Sequence, residues 1–226
     1  GTIMRERGME SGALQVFANT QVTGMEVERG RITAVHTSRG TIGAETVAIA
    51  CGVWSPIPAR MAGAHIPLTP AVHQMMDIGP VPVFERSERA IEYPIVRDMD
   101  VFMYERQDGT SLEIGSYAHR SILHDPEEIP SIEAAANSPT EFPFTQQDFV
   151  PQFEHALELM PDVVGDESVG ERYAINGLIA LTPDGMPILG ETPEVKGLWS
   201  AAAVWVKEGP GVGKSVVKDG TCIVTG

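Results

Sequence analysis

Histidine, tyrosine and glycine carry most of the chemistry open to this sequence. Its 226 residues include six histidines, four tyrosines and two cysteines. Cys51 and Cys222 have no metal-ligand spacing, so they predict neither a zinc site nor a disulfide framework, and no metal is expected. Cys51 ends a run of small residues and reads as a packed small hydrophobe rather than a redox group. His36 falls on the polar phase of an alternating run and reads as a solvated side chain. His73 follows the segment Ile66 to Val72, whose prolines fix an extended path. An imidazole there either fills a structural position or exchanges a proton near neutral pH. Tyr104 lies in the run Val101 to Arg106, where a phenol either packs in a sheet, which favours tyrosine, or meets a ligand. Arg97 and Arg106 flank it as cations that could hold a carboxylate or lie solvated at strand ends. Two glycine elbows follow apolar strands: Gly52 after Val47 to Cys51, and Gly209-Pro210-Gly211-Val212-Gly213 after Leu198 to Val206. Such glycines let backbone N–H groups face a ligand at a helix start. A tight packing turn would use the same residues.

The elements that must position these groups follow from periodicity and turn chemistry. Ala13 to Phe17 alternates as a short strand. Gln21 to Glu28, Arg31 to Thr37 and Thr41 to Ile49 alternate with period two around Arg29-Gly30 and Arg39-Gly40, which predicts a three-strand meander. Pro56 to Gly63 reads as a helix. Tyr93 to Asp98, Val101 to Arg106 and Leu112 to Arg120 read as antiparallel strands, the last two joined at Gln107-Asp108-Gly109-Thr110. His124 to Pro139 is an acidic surface loop with a helical patch at Ile132 to Ala136. Thr145 is placed to N-cap a helix whose core stripe is Phe149, Phe153, Ala156, Leu157 and Met160 until Pro161 stops it. Thr182-Pro183-Asp184-Gly185 predicts a hairpin between Leu178–Leu181 and Met186–Leu189. Glu194 to Gly197 is a second turn, leading into the buried strand Leu198 to Val206.

Charge and hydropathy exclude several classes. Sixteen Lys and Arg stand against 31 Asp and Glu, a formal charge of −15. That balance repels nucleic acid and anionic membrane surfaces. No apolar run reaches membrane-spanning length and the first residues hold no apolar signal core. A reducing compartment, cytoplasmic or the mitochondrial matrix in a eukaryote, fits the cysteine usage.

Wording adds to pattern. The order N-G-x-x-x-x-TPDG-x-P-x-L-GE-x-P-E-V-x-G-L-W, then A-V-W-V, then G-x-G-K resembles the C-terminal flavin-contacting segment of the glycine oxidase and D-amino acid oxidase superfamily. Ala50-Cys51-Gly52-Val53-Trp54 is similar to that family's A-x-G-x-W segment, with cysteine as an added departure. IPLTPxxHQ, the Y-P-I-x-R-D-x-D segment through Tyr104, and GSYAHR at 115–120 resemble the dimethylglycine oxidase and sarcosine dehydrogenase branch. The resemblance implies FAD as cofactor, touched by Val22, Gly52, Trp54, Val204, Trp205, Val206, Lys207, Gly211 and Gly213. It places His73 and Tyr104 at the reacting amine as catalytic residues. It implies hydride transfer from the N-methyl carbon of dimethylglycine or sarcosine to the flavin, leaving an iminium that is hydrolysed or trapped by tetrahydrofolate through a domain absent from this chain. The expected fold is mixed α/β, α+β in arrangement, with an incomplete Rossmann-like half. Residues 1–66 and 176–226 would build part of the FAD-binding domain, and residues 67–175 an antiparallel substrate-binding sheet packed on it. This sequence has no G-x-G-x-x-G turn after an N-terminal strand, so it is expected to be the second part of an oxidase unit that holds FAD poorly alone. Two alternatives stay open: a D-amino acid oxidase-like flavoenzyme, and a non-catalytic fragment.

Overall fold

The structure is a computed structural model that describes residues 1–117, 119–205 and 208–216, together with the backbone of 223–225. It is mixed α/β, with three sheets and helices at their margins. Helix α1 (Thr2–Glu10) buries none of its residues. Strands β1 (Val22–Glu28), β2 (Arg31–Thr37) and β3 (Gly40–Gly43) form the expected meander. Between β1 and β2, Arg29 and Gly30 both take positive φ, 50° and 77°. A two-residue turn of that hand matches the strand twist.

The third alternating run does not stay in one strand. It breaks after Gly43, and β4 (Val47–Ile49) leaves the meander for a four-stranded sheet. There β4 runs parallel to both β12 (Leu198–Ala202) and β13 (Ile223–Thr225), and β12 pairs antiparallel with β11 (Ile188–Glu191). Val47, Ala48 and Ile49 are all buried, as expected of a strand covered on both faces rather than one that alternates. Cys51 packs against the same core, which also holds Ile32, Val35, Ile66, Leu198 and, from α2 (Pro56–Met61), Ala59.

The third sheet has six strands in the order β6-β7-β8-β5-β10-β9, with every pairing antiparallel. Its strands are β5 (Thr69–Gly79), β6 (Val96–Asp98), β7 (Met103–Asp108), β8 (Ser111–Ser116), β9 (Glu141–Phe142) and β10 (Gly170–Leu181). Along β5 the period of two is clear. Gln74, Met76 and Ile78 are buried on one face, while His73, Met75 and Asp77 are half-buried on the other. The buried face packs on α3 (Gln146–Leu159), where Met76, Ile78, Met103, Leu112 and Ile114 meet Phe149 and Ala156. Helix α3 gives way to the short α4 (Pro161–Val164).

Several expectations need correction. Ala13 to Phe17 forms no strand; Leu14, Val16 and Phe17 are exposed with no neighbouring strand to pair with among the described residues. The Thr182 to Gly185 segment does turn, held by Met186 N–H donating to Asp184 Oδ1 at 3.0 Å. It makes no hairpin, however, because β10 is paired with β5 along its whole length and with β9 on its other side, leaving β11 to β12. Turn chemistry fixes a local reversal and not the pairing partners. Residues 132–136 form a single turn on the Ser131 carbonyl, too short to repay helix nucleation. Leu157 is exposed outside the α3 stripe. The last buried strand stops at Ala202, before Val204 and Trp205. Thr145 occupies the N-cap of α3 without a side-chain capping bond. Its Oγ1 instead accepts from Gln74 Nε2 at 3.1 Å and from Asn176 Nδ2 at 3.0 Å, and Gln74 Nε2 also donates to Asn176 Oδ1 at 2.8 Å. That triangle ties β5, β10 and the head of α3 together beneath His73.

Candidate active site

Pairing register explains which side chains meet on the open face of the six-stranded sheet. Tyr104 of β7 lies opposite Gly115 of β8, which lies opposite Met75 of β5, two residues from His73. Glycine at 115 leaves the room that the Tyr104 ring occupies, which a Cβ there would overlap. With that space open, the phenol lies over β8 and its ring stands parallel to the His73 imidazole, 8° apart in plane and 5.8 Å between centroids. Tyr117, one residue past β8, lies 4.3 Å from His73 and 6.4 Å from Tyr104. Trp205 arrives from the other sheet. Ala203, the residue after β12, takes φ 54°, a strained conformation for a residue with a side chain. Two residues on, the indole stacks on Tyr117 at 6.3 Å and 9°.

Burial sets the protonation of this cluster. His73 is lowered to about 4, first by burial and then by the nearby His119, so it is a neutral imidazole at neutral pH. Its Nε2 is buried with no hydrogen-bond partner among the described residues. An unsatisfied nitrogen in such a place costs free energy until a ligand donates to it. Tyr104 is raised to about 12 by burial, then by Tyr117 and Glu113, with Arg106 and Arg97 opposing; it stays a phenol and a donor. Burial also raises Tyr117, again with Arg97 opposing. The face thus offers a neutral acceptor between two phenol donors on an aromatic wall.

The second group of candidate residues lies at one sheet edge. Because β4 and β12 are parallel, their C-terminal ends share that edge. There β4 passes into a single 3-10 turn, Gly52–Trp54, with Gly52 at φ 55° and open space where a Cβ would stand. Beyond Val204 and Trp205, β12 leads to α5 (Gly209–Val216), where Gly209, Gly211 and Gly213 are likewise open. Val22 starts β1 and packs partly on the first core. Val206 and Lys207 lie outside the described residues. Among the predicted residues, His73, Tyr104 and Trp205 join one cluster through Tyr117; Gly52 and Trp54 lie at the turn after β4, and Gly211 and Gly213 lie on α5, which packs on β11 and β12. Tyr117, within GSYAHR, carries no sequence signal that sets it beside His73. Only the β5–β8 register shows that position 117 falls beside position 73.

Among the described residues no helix is long and apolar enough to cross a membrane. The sequence is 31% identical over 203 residues to mitochondrial sarcosine dehydrogenase of Mus musculus, covering 88% of this chain and 20% of that protein. It is 28% identical over 211 residues to the 4-methylaminobutanoate oxidase (formaldehyde-forming) of Paenarthrobacter nicotinovorans, covering 90% of this chain and 24% of that one. The chain therefore spans about a fifth to a quarter of the length of these relatives. The fold is similar to the crystal structure of L-proline dehydrogenase from P. horikoshii, with a TM-score of 0.65 and 21% identity over 89% of this chain and 48% of that one. The family described as FAD dependent oxidoreductase matches residues 4–218, and the chain belongs to it.

Proposed function

We propose that this chain forms the amine-binding wall and part of the flavin cradle of an oxidase or dehydrogenase acting on N-methylated glycine, either sarcosine or dimethylglycine. The observation that carries the reading is the buried, unpartnered Nε2 of His73 stacked beside Tyr104. A neutral imidazole accepts a hydrogen bond from the N–H of a neutral secondary amine, and the buried, uncharged surroundings disfavour an ammonium, which together favour the unprotonated amine that can be oxidised. The phenols of Tyr104 and Tyr117 orient the bound molecule, and the Tyr117–Trp205 stack keeps water from one side of it.

The residues fit the cofactor of the family. The glycines that follow β4 and β12 leave open space where side chains would stand, and the unsatisfied His73 nitrogen sits within the aromatic cluster that Trp205 joins. Gly52, Trp54, Val204 and Trp205 would line the flavin ring, and the helix start at Gly209 would meet its polar edge. FAD supplies the acceptor for the two electrons of the C–H bond that is broken. Residues 1–66 and 176–226 would serve the cofactor side and 67–175 the substrate side, with β10 continuing the substrate sheet to Leu181.

The test is anaerobic stopped-flow reduction of the FAD-loaded oxidase unit of which this chain is expected to be the second part. Sarcosine or dimethylglycine is expected to bleach the flavin. Bleaching by D-alanine with neither N-methyl amine active would replace this reading with that of a D-amino acid oxidase. Inertness to all three would leave a non-catalytic role.

A further inference from the structure

On the side of the six-stranded sheet away from His73, a cleft of about 340 Å³ lies between α3 and the ends of β5 and β10 and opens to solvent. Met76 and Ile78 form its floor, and Phe149, Phe153, Val164 and Val169 its sides. Its volume is in the range of small-molecule sites. A gap of that size beside a packed core closes when its walls are free to slide together. Two contacts fix α3 where it stands. The Gln74–Thr145–Asn176 triangle holds the head of the helix, and Asp98 Oδ2 of edge strand β6, 2.9 Å from His155 Nε2, clamps its later turns. One residue before His155, Glu154 lines the cleft from the helix, and Glu171 lines it from β10. Both are exposed, and neither makes a hydrogen bond or ion pair among the described residues. No lysine or arginine lies on α3 or in the lining of the cleft. Arg172, beside Glu171 in sequence, donates to Ser111 of β8 instead.

We propose that this cleft binds a hydrophobic organic cation, an ammonium with an alkyl or aryl body, at a site separate from the amine site at His73. The apolar body covers the Met76–Ile78 floor and gains in proportion to the area taken from water. The unpaired carboxylates on the two walls attract the ammonium and repel a carboxylate, and the faces of Phe149 and Phe153 suit a cation. A net charge of −15 draws cations to the whole surface, but the apolar floor adds nothing for a metal ion or for a small zwitterion such as sarcosine. Met76 and His73 stand on opposite faces of β5, so both sites can be filled at once.

The probe is n-hexyltrimethylammonium, titrated calorimetrically into the FAD-loaded oxidase unit. It has no N–H to offer His73 and no nitrogen lone pair, so it is no substrate for the proposed reaction. One site is expected, with n-hexanol, which keeps the chain and loses the charge, bound about tenfold more weakly and hexanoate not bound. Glu154→Gln and Glu171→Gln should each weaken the probe about threefold, and together about tenfold. Val150 is exposed on α3 and lines the cleft, so Val150→Trp fills the space from the surface and should abolish binding. An absence of binding in the wild type, equal affinity for the probe and n-hexanol, undiminished binding in the double glutamine variant, or displacement of the probe by sarcosine would overturn the site. Should Val150→Trp fail to fold, the glutamine variants at two exposed positions still decide. Should sarcosine fail to reduce the flavin, the proposed function fails and the titration of this cleft is unaffected.

Discussion

The two faces of the six-stranded sheet are built from the same strands and do opposite things. Met76, Ile78, Met103 and Ile114 on the α3 face are at most 7% exposed. Their neighbours in sequence on the other face are Met75, Asp77, Tyr104 and Gly115, half-open or cut down to make room, with His73 two residues before Met75 on the same face. Stability and chemistry are therefore separated by one residue along the chain and by one sheet thickness in space. The separation is incomplete at one point. Glu105, next to Tyr104, is 1% exposed on the α3 face, with neither carboxylate oxygen partnered among the described residues.

Substitutions on either side can break this division. The largest effect is expected from Phe149→Ala, which removes the ring at the centre of the α3 face beside a cavity of about 340 Å³. A loss of about 3–5 kcal/mol in denaturant unfolding is expected, with flavin reduction by the surviving folded protein close to wild type. Impaired reduction in that folded fraction would show the faces to be coupled. His73→Ala should do the reverse, slowing reduction by about a hundredfold or more while costing little stability at pH 7.

The same variant has a pH signature. His73 is lowered in the fold from its ordinary 6.5 to about 4, so its contribution to stability is complete above 6.5 and is lost as pH falls toward 4. Melting curves of His73→Ala should therefore fall less steeply than wild type across that window. Parallel curves would place the imidazole in solvent. Tyr104→Phe keeps the ring and removes the donor, so a slowing of about tenfold with unchanged melting is expected. A stability loss without kinetic change would return Tyr104 to the role of a sheet aromatic.

Glu105→Gln should give the smallest effect, and a stabilising one. Burial raises this carboxyl above its ordinary value, with Asp98 adding and His155 opposing. Its contribution is greatest below the ordinary glutamate range and declines as pH rises through the raised folded value. The glutamine cannot ionise, so the gain in Tm, on the order of a few degrees, should appear at neutral pH and vanish near pH 4. A gain constant across pH would mean that Glu105 does not titrate there.

How much of this was legible follows from how far apart the interacting residues stand in the chain. The Arg29-Gly30 hairpin, the Gly109 hairpin and the body of α3 are written within single windows of sequence. The pairing of β10 with β5 and the departure of β4 from the meander are not, because alternation says that a strand has two faces and not which strands flank it. His73 and Tyr104 stood out through family wording. Arg97 could be named as a cation near Tyr104, but only register puts it on the same face. Tyr117 and the Asp98–His155 clamp needed the coordinates, since their partners lie 44 and 57 positions away.

The Gln74–Thr145–Asn176 triangle has a consequence for motion. It holds the Gln74 side chain, one residue after His73, from α3 and from β10, so fluctuations of β5 there must disturb side-chain hydrogen bonds that are buried or part-buried. The amides around Gln74 and Asn176 should be among the last to exchange with deuterium. On the proposed reading, a ligand of His73 would meet an imidazole with little orientational entropy left to lose, a preorganised acceptor rather than one that has to be ordered on arrival.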